Sequence, residues 1–123
     1  MILDTSAWIE LFEGSELGQN VKDILISNEC YTSITSISEV ANWAAKHDLD
    51  AQNLIDRITK ESQILQIDSP LAILAGKLNF QRKKINKKWG MMDSFVLSTS
   101  LIYGFRILTK DSDFKDLSNV QLL

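Results

Sequence analysis

The chain is poor in several residues that would otherwise decide its chemistry. Cys30 is the one cysteine, so no internal disulfide can form, and a small buried hydrophobe is its simplest role. His47 is the one histidine. With neither residue in a group, a His/Cys zinc cluster is excluded, and His47 reads as a solvated residue near a helix end. Pro70 is the only proline and the five glycines are scattered. No linker, repeat or low-complexity tract divides the sequence, so residues 1–123 are expected to form a single domain with a real core. No apolar run approaches the roughly 20 residues that span a bilayer. The start, Met1-Ile2-Leu3-Asp4, lacks the basic and apolar stretches of a signal peptide. A cytoplasmic protein without membrane contact is therefore expected. A net charge of −3 argues against a nucleic-acid partner, unless acids are gathered around cations and bases grouped elsewhere.

The patterning that is present alternates between two periods. Met1 to Asp4 reads as a very short strand, followed by a helix from Thr5 to Phe12, a turn at Glu13-Gly14-Ser15, and a second helix from Glu16 to Ile26. Leu17, Val21, Ile24 and Leu25 recur there at helical spacing. Cys30 to Ile34 alternates as a strand does. Helices are predicted over Ser36–Lys46 and Asp50–Lys60, a strand over Ile64–Ile67, and a helix that Pro70 opens in its first turn and that runs to Lys84. A helix from Met92 to Tyr103 and strands over Phe105–Leu108 and Val120–Leu122 complete the chain. Strands alternating with helices predict an α/β fold with a parallel sheet. Ligands of such sheets collect beyond the carboxyl ends of the strands. Asp4 and Asp111 both follow predicted strands, so two acids reach one edge.

Three further acids belong in the same count, and each has an ordinary explanation. Asp4 can cap a helix, although Thr5 and Ser6 offer hydroxyls for that. Glu39 completes Ser36-Ile37-Ser38-Glu39, a capping box. Asp93 suits the positive end of a helix dipole. Asp111 and Asp113 can cap the short turn before Phe114. Taken together, carboxylates converging on one edge repel one another unless a cation lies among them. A hard divalent ion with oxygen ligands, Mg²⁺ or Mn²⁺, is the simple answer.

These residues resemble the PIN domain, the small nuclease fold of VapC-type toxins. The resemblance starts at Ile2-Leu3-Asp4-Thr5-Ser6 and continues through Ser38-Glu39-Val40. It is fullest in Met92-Asp93-Ser94-Phe95-Val96-Leu97-Ser98-Thr99-Ser100, Tyr103-Gly104-Phe105 and Leu108-Thr109-Lys110-Asp111-Ser112-Asp113-Phe114. The order and spacing of these blocks cover essentially the whole chain. The departure is mild: Ser98-Thr99-Ser100 stands where the toxins usually carry alanine. The resemblance implies a PIN-like three-layer α/β/α sandwich with a parallel sheet of about five strands, and an acidic pocket at its carboxyl edge. It also implies endonucleolytic cleavage of RNA leaving a 5′-phosphate and a 3′-hydroxyl, a cognate antitoxin and a homodimer.

Read as a nuclease, the catalytic set is Asp4, Glu39, Asp93 and Asp111. Asp4, Asp93 and Asp111 are the expected ligands of Mg²⁺ (or Mn²⁺), and Glu39 binds through water or orients the nucleophile. Asp113 is a further ligand or only a cap, and Ser6 and Thr109 are expected to fix carboxylate rotamers. Five of the thirteen bases, Arg82, Lys83, Lys84, Lys87 and Lys88, crowd just before Asp93 and form the candidate RNA track. Trp89 either stacks on a base or anchors the turn, and the anchor is the simpler role. Trp8, Leu11, Phe12, Trp43 and Ala44 either receive an antitoxin peptide or pack in the core. Three other functions compete with the toxin: a phosphoacceptor signalling domain, a non-enzymatic RNA- or protein-binding module on this fold, and a housekeeping RNA-processing PIN nuclease. The signalling domain would place a lysine after its last strand, and none follows here.

Overall fold

No strand exceeds three residues, so the sheet can hold little more than its own register and depends on what packs against it. The computed structural model describes the whole chain, residues 1–123. In order the elements are β1 (Ile2–Leu3), α1 (Thr5–Glu13), α2 (Glu16–Ser27), β2 (Tyr31–Ser33), α3 (Ile34–Lys46), α4 (Ala51–Glu61), β3 (Gln63–Leu65), α5 (Ser69–Ile85), α6 (Met91–Tyr103), β4 (Ile107–Thr109), a 3₁₀ turn (Ser112–Phe114) and β5 (Val120–Leu122). All strand pairs are parallel and the order is β3-β2-β1-β4-β5. The chain winds outward from β1 to β3 and then returns to the other side of β1 with β4. The strand order thus reverses between β1 and β4, the place where a sheet of this kind opens a crevice.

Alternation along the strands divides the core in two. Leu3 and Leu108 join Ala7, Trp8, Leu11, Val21, Val40 and Ile58 on one face, beneath α1 to α4. Ile2 and Ile107 join Trp89, Val96, Leu97 and Phe114 on the other, beneath α5 and α6. One step along a strand reverses the side chain, which is why neighbours in sequence serve opposite layers. The result is the expected three-layer α/β/α sandwich. No helix is long and apolar enough to cross a membrane.

Several boundaries differ from the sequence reading by a residue or two, and helix capping explains two of them. The third helix starts at Ile34, not Ser36, because Ser33 at the end of β2 caps it, its Oγ accepting from Thr35 N at 3.3 Å. The expected Ser36–Glu39 capping box does not form. Ser36 lies inside the helix, fully buried, with its hydroxyl unpartnered. Strand β3 ends at Leu65 instead of Ile67, since Asp68 takes the N-cap of α5 and accepts from Leu71 N at 3.0 Å. Helices α1 and α2 approach so closely that a Cβ on Gly18 would lie 2.3 Å from the Glu10 carbonyl oxygen. Gly104 ends α6 at φ 74°, a left-handed conformation that costs glycine nothing.

Of the aromatic and apolar residues read as either an antitoxin surface or core, most are interior. Trp8, Leu11 and Ala44 are core residues, and the Trp8 indole donates to Thr32 Oγ1 at 3.1 Å. Phe12 and Trp43 are half-buried, Phe12 against Trp8 and Trp43 against the His47 ring. The hydroxyls of Ser98, Thr99 and Ser100 are also buried, and each bonds a main-chain carbonyl, of Phe95, Phe95 and Phe105 respectively. Three polar side chains therefore fit where alanine would have been easier.

Candidate functional site

Asp4 follows β1 directly, and its main-chain N–H donates to Leu108 O at 2.9 Å, fastening the residue across the β1–β4 gap. Its side chain does not cap α1. Instead Asp4 Oδ2 accepts from Thr109 Oγ1 at 2.8 Å and from Ser6 Oγ at 3.3 Å. The two hydroxyls stand 3.1 Å apart and are themselves held, because Lys110 N donates to Ser6 Oγ and Asp111 N to Thr109 Oγ1, both at 3.0 Å. The loop after β4 is thereby stitched to the start of α1, and Asp111 comes to the Asp4 edge.

The other acids are placed by their own helices. Asp93 lies in the first turn of α6, where its Oδ2 accepts from Gly90 N at 2.9 Å, a self-capping arrangement. Glu39 is well inside α3, and Thr5 Oγ1 donates to its Oε1 at 2.7 Å. Thr5 was not expected to matter beyond capping. The one available signal, a hydroxyl next to Asp4, does not reveal a partner so far along the chain. Asp111 Oδ1 accepts from Asp113 N at 2.9 Å, capping the 3₁₀ turn. Asp113 offers its carbonyl to Arg82 and lines a cleft of about 310 Å³ with Asn86, Lys115 and Asp116.

A common rule governs the four principal acids. Each carboxylate is tethered through one oxygen, and the other makes no hydrogen bond within the protein. The only fully buried side-chain polar atoms without partners are Ser36 Oγ and Arg82 Nε, so the free oxygen of Asp4 retains access to solvent. Burial pushes Asp4 up to about 6, against the pull of the Thr109 bond, and the Glu39 charge adds to the rise. Asp93 is likewise pushed up to about 6, chiefly by burial, then by the charges of Asp4, Asp111 and Asp113. Burial also raises Glu39, with Asp93 contributing. These acids feel one another's charge, the condition that calls for a cation.

They do not form a finished cage. No three His, Cys, Asp or Glu side chains stand close enough together to hold a metal as placed. The donor set still fits a hard divalent ion: every candidate ligand is an oxygen, and each carboxylate has one oxygen free. Asp4, Asp93 and Asp111 would hold it.

The basic stretch is divided by the fold. Lys83, Lys84, Lys87 and Lys88 are exposed and take no part in ion pairs, while Lys84 lies over the exposed Phe80 ring. Arg82 departs from the expected RNA track, because its guanidinium is buried against Asp116. Trp89 is wholly buried and cannot stack on a base; its indole donates to Ser94 Oγ at 2.7 Å. Lys110, beside Asp111, is occupied by the buried Glu10.

Known structures share this architecture. A toxin–antitoxin complex from Klebsiella pneumoniae contains a chain similar at TM-score 0.78 and 20% identity, over 98% of this chain and 94% of that one. VapC20 of Mycobacterium tuberculosis, described as a sarcin–ricin-loop-cleaving toxin, is similar at TM-score 0.77 and 15% identity, over 98% and 97%. VapBC2 of Rickettsia felis, solved on a fragment of promoter DNA, is similar at TM-score 0.74 and 16% identity, over 99% and 96%. At these identities the likeness is one of fold. No curated protein matches the sequence. The sequence itself matches the PIN domain over residues 1–120, from the first strand into the last. A match of that extent settles the family: the chain belongs to the PIN domain proteins.

Proposed function

We propose that the chain is a divalent-metal-dependent endoribonuclease and the toxin of a toxin–antitoxin pair. The observation that carries this reading is the set of four carboxylates, each with one oxygen tethered and one free, in a chain of the PIN family whose Asp4 and Asp111 follow the adjacent strands β1 and β4. Asp4, Asp93 and Asp111 would hold Mg²⁺ or Mn²⁺, which when bound would supply positive charge against a phosphodiester and lower the pKa of water. The remaining work falls to the chain. Thr109 and Ser6 hold Asp4 in one rotamer, and Gly90 N does the same for Asp93. Glu39, anchored at Oε1 by Thr5 and raised by burial, keeps Oε2 free to accept a proton from the attacking water. Lys83, Lys84, Lys87 and Lys88 draw the RNA backbone toward the start of α6. The antitoxin belongs to the same proposal, supported by the toxin–antitoxin complexes in which similar folds occur; the homodimer is proposed on the family resemblance alone.

The absence of a closed ligand cage keeps a second reading in play, an RNA-binding module that does not cut. Cleavage of a mixed RNA pool in Mg²⁺, Mn²⁺ and EDTA, alongside Asp93→Asn, separates them. Discrete metal-dependent cuts lost in a folded variant are expected. RNA binding without cutting by the metal-loaded wild type supports the module instead.

A further inference from the structure

Arg82 carries a charge that the fold takes out of the basic stretch and spends on internal bonds. Its residue exposure is 6%, whereas Lys83 and Lys84, which follow it directly, are exposed. Nη1 and Nη2 reach Asp116 Oδ2 and Oδ1 at 2.6 and 2.9 Å, a bidentate pair, and Nη2 also donates to the Asp113 carbonyl at 3.0 Å. The guanidinium lies 4.4 Å from the centre of the Trp89 ring. Trp89 in turn packs on Phe114, with ring centres 4.8 Å apart, and bonds Ser94, the residue after Asp93. One side chain thus touches both acid-bearing segments: the 3₁₀ turn that follows Asp111, through Asp113 and Asp116, and the start of α6, through Trp89.

We propose that Arg82 is a positioning residue that sets the Asp111–Asp113 turn against the Asp93 helix start and so holds the acidic site in register for a divalent cation. The inference rests on the metal-dependent reading given above. Packing alone is a poor explanation of the arrangement. Burying a guanidinium and leaving its Nε without a partner is costly, and an apolar side chain would fill the same space at less cost. What an apolar side chain cannot supply is a directed bond to the Asp113 carbonyl together with a two-pronged grip on Asp116. Those bonds fix the turn in position and orientation, which matters because the free carboxylates repel one another and would otherwise spread.

The test measures Mn²⁺ uptake directly, by electron paramagnetic resonance of the free ion over the purified full chain. Asp116→Asn weakens the grip from an exposed position, its side chain being 50% exposed. Arg82→Met keeps the packing on Trp89 and removes all three hydrogen bonds. Each variant is expected to raise the Mn²⁺ dissociation constant about 10-fold, and the double variant no further than Arg82→Met. RNA cleavage by the variants should return toward the wild-type rate as Mn²⁺ is raised, a shift in metal requirement and not in the maximal rate. Lower melting temperatures with unchanged Mn²⁺ affinity would overturn the proposal, and Asp116→Asn decides the matter if Arg82→Met does not fold. A wild type that takes up no Mn²⁺ overturns both this and the nuclease reading. Variants that lose Mn²⁺ affinity, beside a wild type that binds Mn²⁺ but cuts no RNA, support the clamp and sink only the nuclease.

Discussion

Replacing Asp4 with asparagine removes a charge that the metal-free protein holds at a cost. The carboxyl is pushed from 3.8 up to about 6 by burial, with Glu39 adding to the rise. At about 1.4 kcal/mol per pKa unit, a rise of that size costs about 3 kcal/mol at pH 7. Because the folded value lies above the unfolded one, the cost vanishes as pH falls below the unfolded value and is complete once pH rises past about 6. At pH 5 it has shrunk to roughly half of that. Asparagine retains a carbonyl oxygen to accept from Thr109 and Ser6, so the tether survives the change. Urea unfolding in EDTA is the assay. Asp4→Asn is expected to be more stable than wild type at pH 7, with the gap roughly halved at pH 5. Wild type itself is expected to gain stability between those two values. Added Mn²⁺ should reverse the order, stabilising wild type by mass action and the variant less. A variant less stable than wild type at both pH values, or a gap that does not change between them, would refute the account of Asp4 as a strained charge awaiting a cation.

Three other outcomes follow from the packing and the charge. Gly18→Ala should destabilise the fold by about 1–3 kcal/mol, because the added methyl meets the Glu10 backbone and not a side chain that can turn away; chemical denaturation measures it. Ser36→Ala should leave stability unchanged or slightly improved in the same assay, since it deletes a buried hydroxyl that has no partner. Changing Lys83, Lys84, Lys87 and Lys88 together to glutamine should weaken binding of single-stranded RNA and flatten its dependence on salt, read by fluorescence anisotropy from low to moderate ionic strength. An unchanged salt slope would place the RNA track elsewhere.

The succession of elements was open to reading because its causes are local. Apolar spacing, Pro70 in the first turn of α5 and the short run before Asp4 all act within a few residues. The arrival of Asp4 and Asp111 at one sheet edge follows from the same local facts, once parallel strands are inferred. Boundaries slipped where two capping groups competed. The sequence pointed to Ser36, and only the end of β2 at Ser33 hands the cap to that residue instead.

What the chain could not declare in one dimension depends on contacts between distant residues. Glu39 looks like half of a capping box until α1 and α3 pack and offer it Thr5. Arg82 looks like its lysine neighbours until the turn after β4 brings Asp116 to it, and Trp89 is open to stacking or anchoring until Phe114 packs on it. Sequence patterning determined which elements form and which acids reach the sheet edge, since both are properties of a residue and its near neighbours. The tertiary structure alone decided which polar groups are buried, which are paired and which carboxylate oxygens are left free. Desolvation and hydrogen bonding depend on where the whole chain closes, and no local stretch carries that information.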